Sequence, residues 1–299
     1  MGYYLGVITL ICCYTIVIMG LSLLTGFTGI FSFGHAAYMA IGAYTAAIIT
    51  VRAGMPFALA IIAAITVAAL AGRLIGIPTL RLVGDYFAIA MLGMGETIRL
   101  LLDNGGKLTG GARGMGNIPN VTNIYVALGL MIASVIVMRN IIWSRYGRAF
   151  KAIREDTLAA ECCGIDTFAM KKVSLTISAA YGGLGGALFA HYMTYIQPVM
   201  FAMAMSTEIA AAVVFGGLGS LTGSIVAAFM LVGITELLRP LFQWRMVFYG
   251  LILVGTIVLR PQGLMGGKEF SAKAVISQVR RFIAWVSRSK ITGGKGDMK

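Results

Sequence analysis

The sequence predicts an all-α, polytopic transmembrane bundle of about nine spans, and three observations predict it. Of the 299 residues, 59% are hydrophobic and 12% charged, where soluble domains carry about a quarter charged. The mean hydropathy is +0.88. The apolar residues fall in long runs, while the 24 basic residues, against 11 acidic ones, collect between the runs and in the C-terminal tail. That distribution is a topology signal and argues against a nucleic-acid-binding surface.

A spanning helix needs about 20 mostly apolar residues. In chain order the candidates are 3–24, 35–51, 57–77, 86–102, 123–143, 173–196, 205–217, 221–238 and 246–259. Several are short, so eight to ten spans fit. The first run lacks a basic flank and a cleavage site, which predicts a retained span and not a signal peptide. Segment 139–172 holds seven basic residues and the stretch from Arg260 onward holds nine. By the positive-inside rule both are expected to be cytoplasmic, with Arg73 and Arg81 inside, and Lys107, Arg113 and the N-terminus outside.

Two glycine-rich stretches interrupt the runs, GFTGIFSFGHAA (26–37) and FGGLGSLTGS (215–224). Each places hydroxyls (Thr28, Ser32; Ser220, Thr222) before an apolar helix. Interrupted helices at matching places point to internal repeats and a central pathway; glycine that only permits close packing is the competing explanation. YGGLGGALFA (181–190) reads as a packing face. The paired cysteines Cys12–Cys13 and Cys162–Cys163 read as small apolar fillers. In the tail 268–299, Val275, Val279, Phe282, Ile283 and Val286 recur at helical spacing opposite Lys273, Arg280, Arg281 and Arg288. That pattern suits a helix on an anionic leaflet.

No GxxxxGK[ST], HExxH, nucleophile elbow or metal-ligand spacing occurs. His35 and His191 read as hydrogen-bonded helix residues. Glu96/Arg99 and Glu236/Arg239 stand at i,i+3 and are expected to pair. No basic residue stands at helical spacing from Glu208, which makes it a pathway candidate, since membrane charges face protein or water.

The charged stretch REDTLAAECCGI (154–165) is too polar to span and too patterned for a linker. It predicts one short cytoplasmic helix ended by Gly164 as a C′ glycine. Phe150, Ile153, Leu158, Ala159 and Cys162 are expected on its apolar side, with Arg154, Glu155, Asp156 and Glu161 on the polar side. Such a helix suits docking into a partner's groove.

The stretches TGFTGIFSFGHAAYMAIGAYTAAI (25–48), GDYFAIAMLGMGETIRLLLDN (84–104), LTGGARGMGNIP (108–119), RYGRAFKAIREDTLAAECCGI (145–165), VVFGGLGSLTGS (213–224) and RPQGLMGG (260–267) carry a resemblance. In order, they resemble the LivM-like permease subunits of branched-chain amino acid ABC importers. The resemblance covers about 1–267 and leaves 268–299 as an extension. It implies a multi-pass permease of the bacterial inner membrane that is not itself an enzyme. Its implied partners are a second permease subunit, two cytoplasmic ATP-binding subunits that hold ATP and Mg, and a periplasmic substrate-binding protein. No cofactor is expected in this chain. The loop about 145–172 corresponds to the coupling loop, and Arg154, Glu155, Asp156, Ala159, Ala160 and Gly164 are its expected ATPase-coupling residues. Many importers place Glu before the two alanines, where Leu158 stands here, so the acidic contacts would fall to Glu155 and Asp156. A pathway lining is expected near Ser32, His35, Tyr38, Glu96, Glu208, Ser220 and Thr222. The cargo would be Leu, Ile and Val, with urea or short-chain amides as the sister specificity. A secondary carrier and a non-transporting scaffold are the readings from other classes.

Overall fold

The computed structural model describes residues 2–82, 84–237 and 250. Ten α-helices account for most of them: α1 (Gly2–Leu21), α2 (His35–Val51), α3 (Phe57–Thr79), α4 (Asp85–Asp103), α5 (Ile124–Trp143), α6 (Arg145–Glu155), α7 (Thr157–Cys162), α8 (Thr167–Met193), α9 (Met203–Gly216) and α10 (Leu221–Leu237). One antiparallel bridge, Met115 with Ile196, is the β pairing among the described residues. Among these residues, five segments are long and apolar enough to cross a bilayer: Tyr3–Phe27, Phe57–Thr79, Ile124–Trp143, Thr167–Met193 and Pro198–Gly216. The chain is a multi-pass helical membrane protein. Apart from Gly250, the expected span at 246–259 lies outside the described residues, as do the side chains of Glu236 and Arg239 and the tail 268–299.

The helices arise where the apolar runs predict them because a backbone in lipid must satisfy its own N–H and C=O groups. Thr15 and Ser134 follow the same rule on a smaller scale, returning their hydroxyls to the carbonyls of Ile11 (2.7 Å) and Leu130 (2.7 Å).

The centre of the bundle is α8, which packs on α1, α2 and α3. Its glycines make this possible, as 181–190 predicts. A Cβ on Gly186 would collide with the carbonyl of Met39, and one on Gly42 with the backbone of Gly183. One on Gly185 would meet Val17 and the carbonyl of Cys13. Backbones at this range exchange dispersion contacts along their length, the principal attraction available to helices in lipid. Buried hydroxyls tie the same seam: Ser178 donates to the carbonyl of Gly20 (2.7 Å), and Tyr181 to that of Ser134 (2.9 Å).

Side-chain contacts sort the connections into two ends. At one end Thr28 bonds Ser174 at 2.6 Å. A cavity of about 410 Å³ there is lined by residues of 28–31, 80–87 and 153–157, with Lys171. At the other, Tyr195 donates to the carbonyl of Arg113 (2.5 Å), and His191 Nε2 bonds the Thr50 hydroxyl (3.1 Å) beside Phe57. Helices α6 and α7 lie at the first end.

Candidate functional site

At that first end the chain turns through α6 and α7. Ser144 opens α6 by accepting from the amide of Tyr146 at 3.1 Å. Phe150 and Ile153 bury its apolar face. The expected single helix over 154–164 does not form. Asp156 takes an extended conformation (φ −156°, ψ 117°), and its carboxylate accepts from the amides of Leu158 (2.8 Å) and Ala159 (3.1 Å). It therefore N-caps a second helix, α7, and serves as the hinge between the two.

Gly164 is the C′ residue expected, at φ +79°. Its amide donates to the carbonyl of Glu161, and that of Ile165 to Ala160. The Thr167 hydroxyl then bonds Glu161 (2.6 Å), and Asp166 caps α8 through the amide of Ala169 (2.9 Å).

The break resets the rotation of the helix, so the expected apolar side divides. Ala160 turns inward and is buried, while Leu158 is 74% exposed. Ala159, Cys162 and Cys163 are also exposed. The second cysteine pair is thus surface, unlike the buried Cys12 and Cys13. Glu155 and Asp156 stay exposed.

Arg154 is exposed with them, as expected of the polar side, and also makes a contact that the sequence did not show. Its Nη1 donates to the carbonyl of Gly26 at 2.5 Å. Gly26 lies in the π-helical turn Ser22–Phe27 that ends the first span. A Cβ on Gly219 would strike the same guanidinium nitrogen, and one on Gly26 would lie 2.8 Å from the amide of Gly219. The two glycine-rich stretches meet here, sealed below by the Ser224 hydroxyl donating to that of Ser22 (2.8 Å). One turn earlier in α6, the Lys151 ammonium stands 5.6 Å from the Phe27 ring centroid.

The expected pathway residues fall in several places in the bundle. His35 and Tyr38 are buried in the first turn of α2, ring centroids 5.7 Å apart. A Cβ on Gly20 would lie 3.3 Å from His35 Nε2 and one on Gly182 2.9 Å from Tyr38 Cβ, so both rings lie inside the bundle. His191 bonds the Ala187 carbonyl and Thr50, as expected, and the His35 ring is buried against the Ser178 backbone.

Ser32 is buried near the Gly34 amide (3.4 Å). Ser220 caps α10 through the amide of Gly223 (3.0 Å) and bonds Thr222 (3.2 Å). Glu96 and Arg99 form the expected i,i+3 pair, through Arg99 Nε at 2.8 Å. Glu96 lies on the loosely packed α4, and Glu208 on the exposed stripe of α9 with Met203 and Thr207. Sequence reasoning missed Ser206, whose hydroxyl accepts from the Ala36 amide (3.1 Å) and so caps α2 from 170 residues away.

These features define a class: a multi-pass helical membrane protein with broken helices and a short, exposed helix at one end. The family described as "Branched-chain amino acid transport system / permease component" matches residues 3–257. The chain is 35% identical over 291 residues to the high-affinity branched-chain amino acid transport system permease protein LivM of Escherichia coli K12, covering 86% of this chain and 68% of that one. It is 35% identical over 286 residues to the LivM protein of Salmonella typhimurium LT2, covering 84% and 67%. With the LivH permease protein of E. coli K12 the identity is 26% over 292 residues, covering 88% and 94%. No solved structure matches significantly. The chain belongs to the branched-chain amino acid ABC permease family.

Proposed function

We propose that this chain is one permease subunit of an ATP-driven importer that carries Leu, Ile and Val across the bacterial inner membrane. The observation that carries the reading is α7. A short helix with Leu158 74% exposed and Ala159 beside it has no reason to face water. It is suited to the cleft of a cytoplasmic ATP-binding subunit, which would hold the ATP and Mg. The basic residues of 139–172 support placing this end and the tail in the cytoplasm. The five candidate spans, the shorter apolar helices His35–Val51 and Leu221–Met230, and α4 support nine spans once 246–259 is added.

The assembly would include a second, related permease and a periplasmic binding protein. Glu208 and Thr207 lie on an outer face of α9, and membrane charges rarely face hydrocarbon. That favours a pathway along this face, shared with the second permease, over one through the buried His35 and Tyr38. ATP-driven movement of α7 would rock the helices between two openings.

The test is uptake of radiolabelled leucine and of urea, at micromolar solute, by cells with and without the gene, before and after ATP depletion. Loss of ATP-dependent leucine uptake on deletion is expected. Loss of urea uptake alone would transfer the same machine to urea or short-chain amides. Replacing the exposed Ala159 with Trp should leave membrane insertion intact and uncouple ATP hydrolysis from uptake. Survival of both activities in that variant would remove α7 from its coupling role.

A further inference from the structure

We infer that Arg154 is a positioning residue that carries movement of the α6–α7 hinge into both glycine breaks, and is not a contact for the ATPase. The inference rests on the importer reading above. Arg154 stands two residues before the Asp156 hinge, on the bundle side of it. Its guanidinium reaches 128 residues back to the Gly26 carbonyl at 2.5 Å. That carbonyl lies in the last turn of the first span, where amide donors run out and the helix dipole is negative. A cationic donor there forms a charge-assisted hydrogen bond from the solvent-exposed side of α6.

Three glycines make the slot. A Cβ on Gly29 would lie 3.2 Å from Arg154 Cγ, one on Gly219 would strike Nη1, and one on Gly26 would press on Gly219. Gly29 and Gly219 also hold φ at +78° and +85°, where a side chain is strained. One side chain thus touches the break that ends the first span and the break between α9 and α10. Along one flank the cavity of about 410 Å³, with Thr28, Asp85, Thr157 and Lys171 on its walls, leaves the arginine room to shift. Movement of α7 therefore has a short route to the two places where the spans are interrupted.

The experiment uses the assembled transporter in liposomes with its binding protein and leucine, comparing wild type with Arg154→Ala and Arg154→Met. The methionine variant keeps the apolar stem and removes the guanidinium. In both variants the ATP-binding subunit is expected to co-purify as in wild type and the thermal midpoint to stay near it. Uptake, and the part of ATP hydrolysis that loaded binding protein stimulates, are expected to fall by about tenfold or more. Wild-type uptake in Arg154→Met would overturn the inference, since packing alone would then suffice. Loss of co-purification would overturn it too, placing Arg154 on the ATPase face. A wild-type complex without ATP-dependent uptake would sink the importer reading itself before any variant is compared.

Discussion

Helices α3 and α8 have similar lengths and opposite surroundings. Of their most apolar stretches, 22% of α3 is buried and 72% of α8. The more apolar helix is the more exposed one. In water that order would be reversed. In lipid a leucine gains nothing by meeting another leucine, so the outside keeps Leu70, Leu74 and Ile62, and the inside is filled by residues that let backbones touch. Gly182, Gly183, Gly185 and Gly186 do this in α8, and Gly72 and Gly76 on the one face of α3 that meets it. Between these two helices burial follows smallness and hydrogen-bonding capacity, not hydrophobicity; α1, apolar and buried at once, is where large side chains fill the interior.

Substitutions can break or sharpen that contrast. The largest effect is expected for Val67→Lys near the middle of α3, 41% exposed. A lysine facing hydrocarbon there costs about 3 kcal/mol of insertion, read as the fraction integrated in a membrane-insertion assay. Full integration would mean that this face of α3 meets protein or water.

Next is Gly186→Val in α8, whose added carbons would collide with the Met39 carbonyl. Overpacking of this kind costs about 2 kcal/mol, seen as a lower unfolding temperature in detergent. An unchanged temperature would show that α2 and α8 can separate without cost.

Ser178→Ala removes the bond to the Gly20 carbonyl. Interhelical hydrogen bonds in membranes average about 0.6 kcal/mol, a small downward shift by the same measurement. Leu74→Ala, at a side chain 67% exposed, should stay within about 0.5 kcal/mol. A larger loss would place a tight partner on that face.

The positions of the spans were legible because bilayer thickness and backbone hydrogen bonding leave little choice. The second expected span, 35–51, coincides with α2, and 124–143 differs from its expectation by one residue. Gly164 was legible as a helix stop because a positive φ suits only such a residue. The break at Asp156 had a signal as well, an acidic cap before Thr-Leu-Ala-Ala, but the continuous amphipathic pattern around it reads as one helix. Missing it put Leu158, Ala159 and Cys162 on the buried side. The Glu96–Arg99 pair was visible because both residues belong to one helix. The Gly26–Arg154, Ala36–Ser206 and Thr28–Ser174 contacts were not, since each joins segments more than a hundred residues apart.

By itself the sequence determined that this protein lives in a membrane, where its helices run, which family it resembles and which loop is charged. These follow from local composition, spacing and motif. Only the tertiary structure decided that the two glycine breaks touch, that one arginine of the charged loop spans them, and that His35 and Tyr38 sit inside the bundle while Glu96 and Glu208 do not. Those outcomes depend on which helix faces meet. In lipid that choice is made by close backbone fit and buried polar contacts between distant segments, which no local pattern encodes.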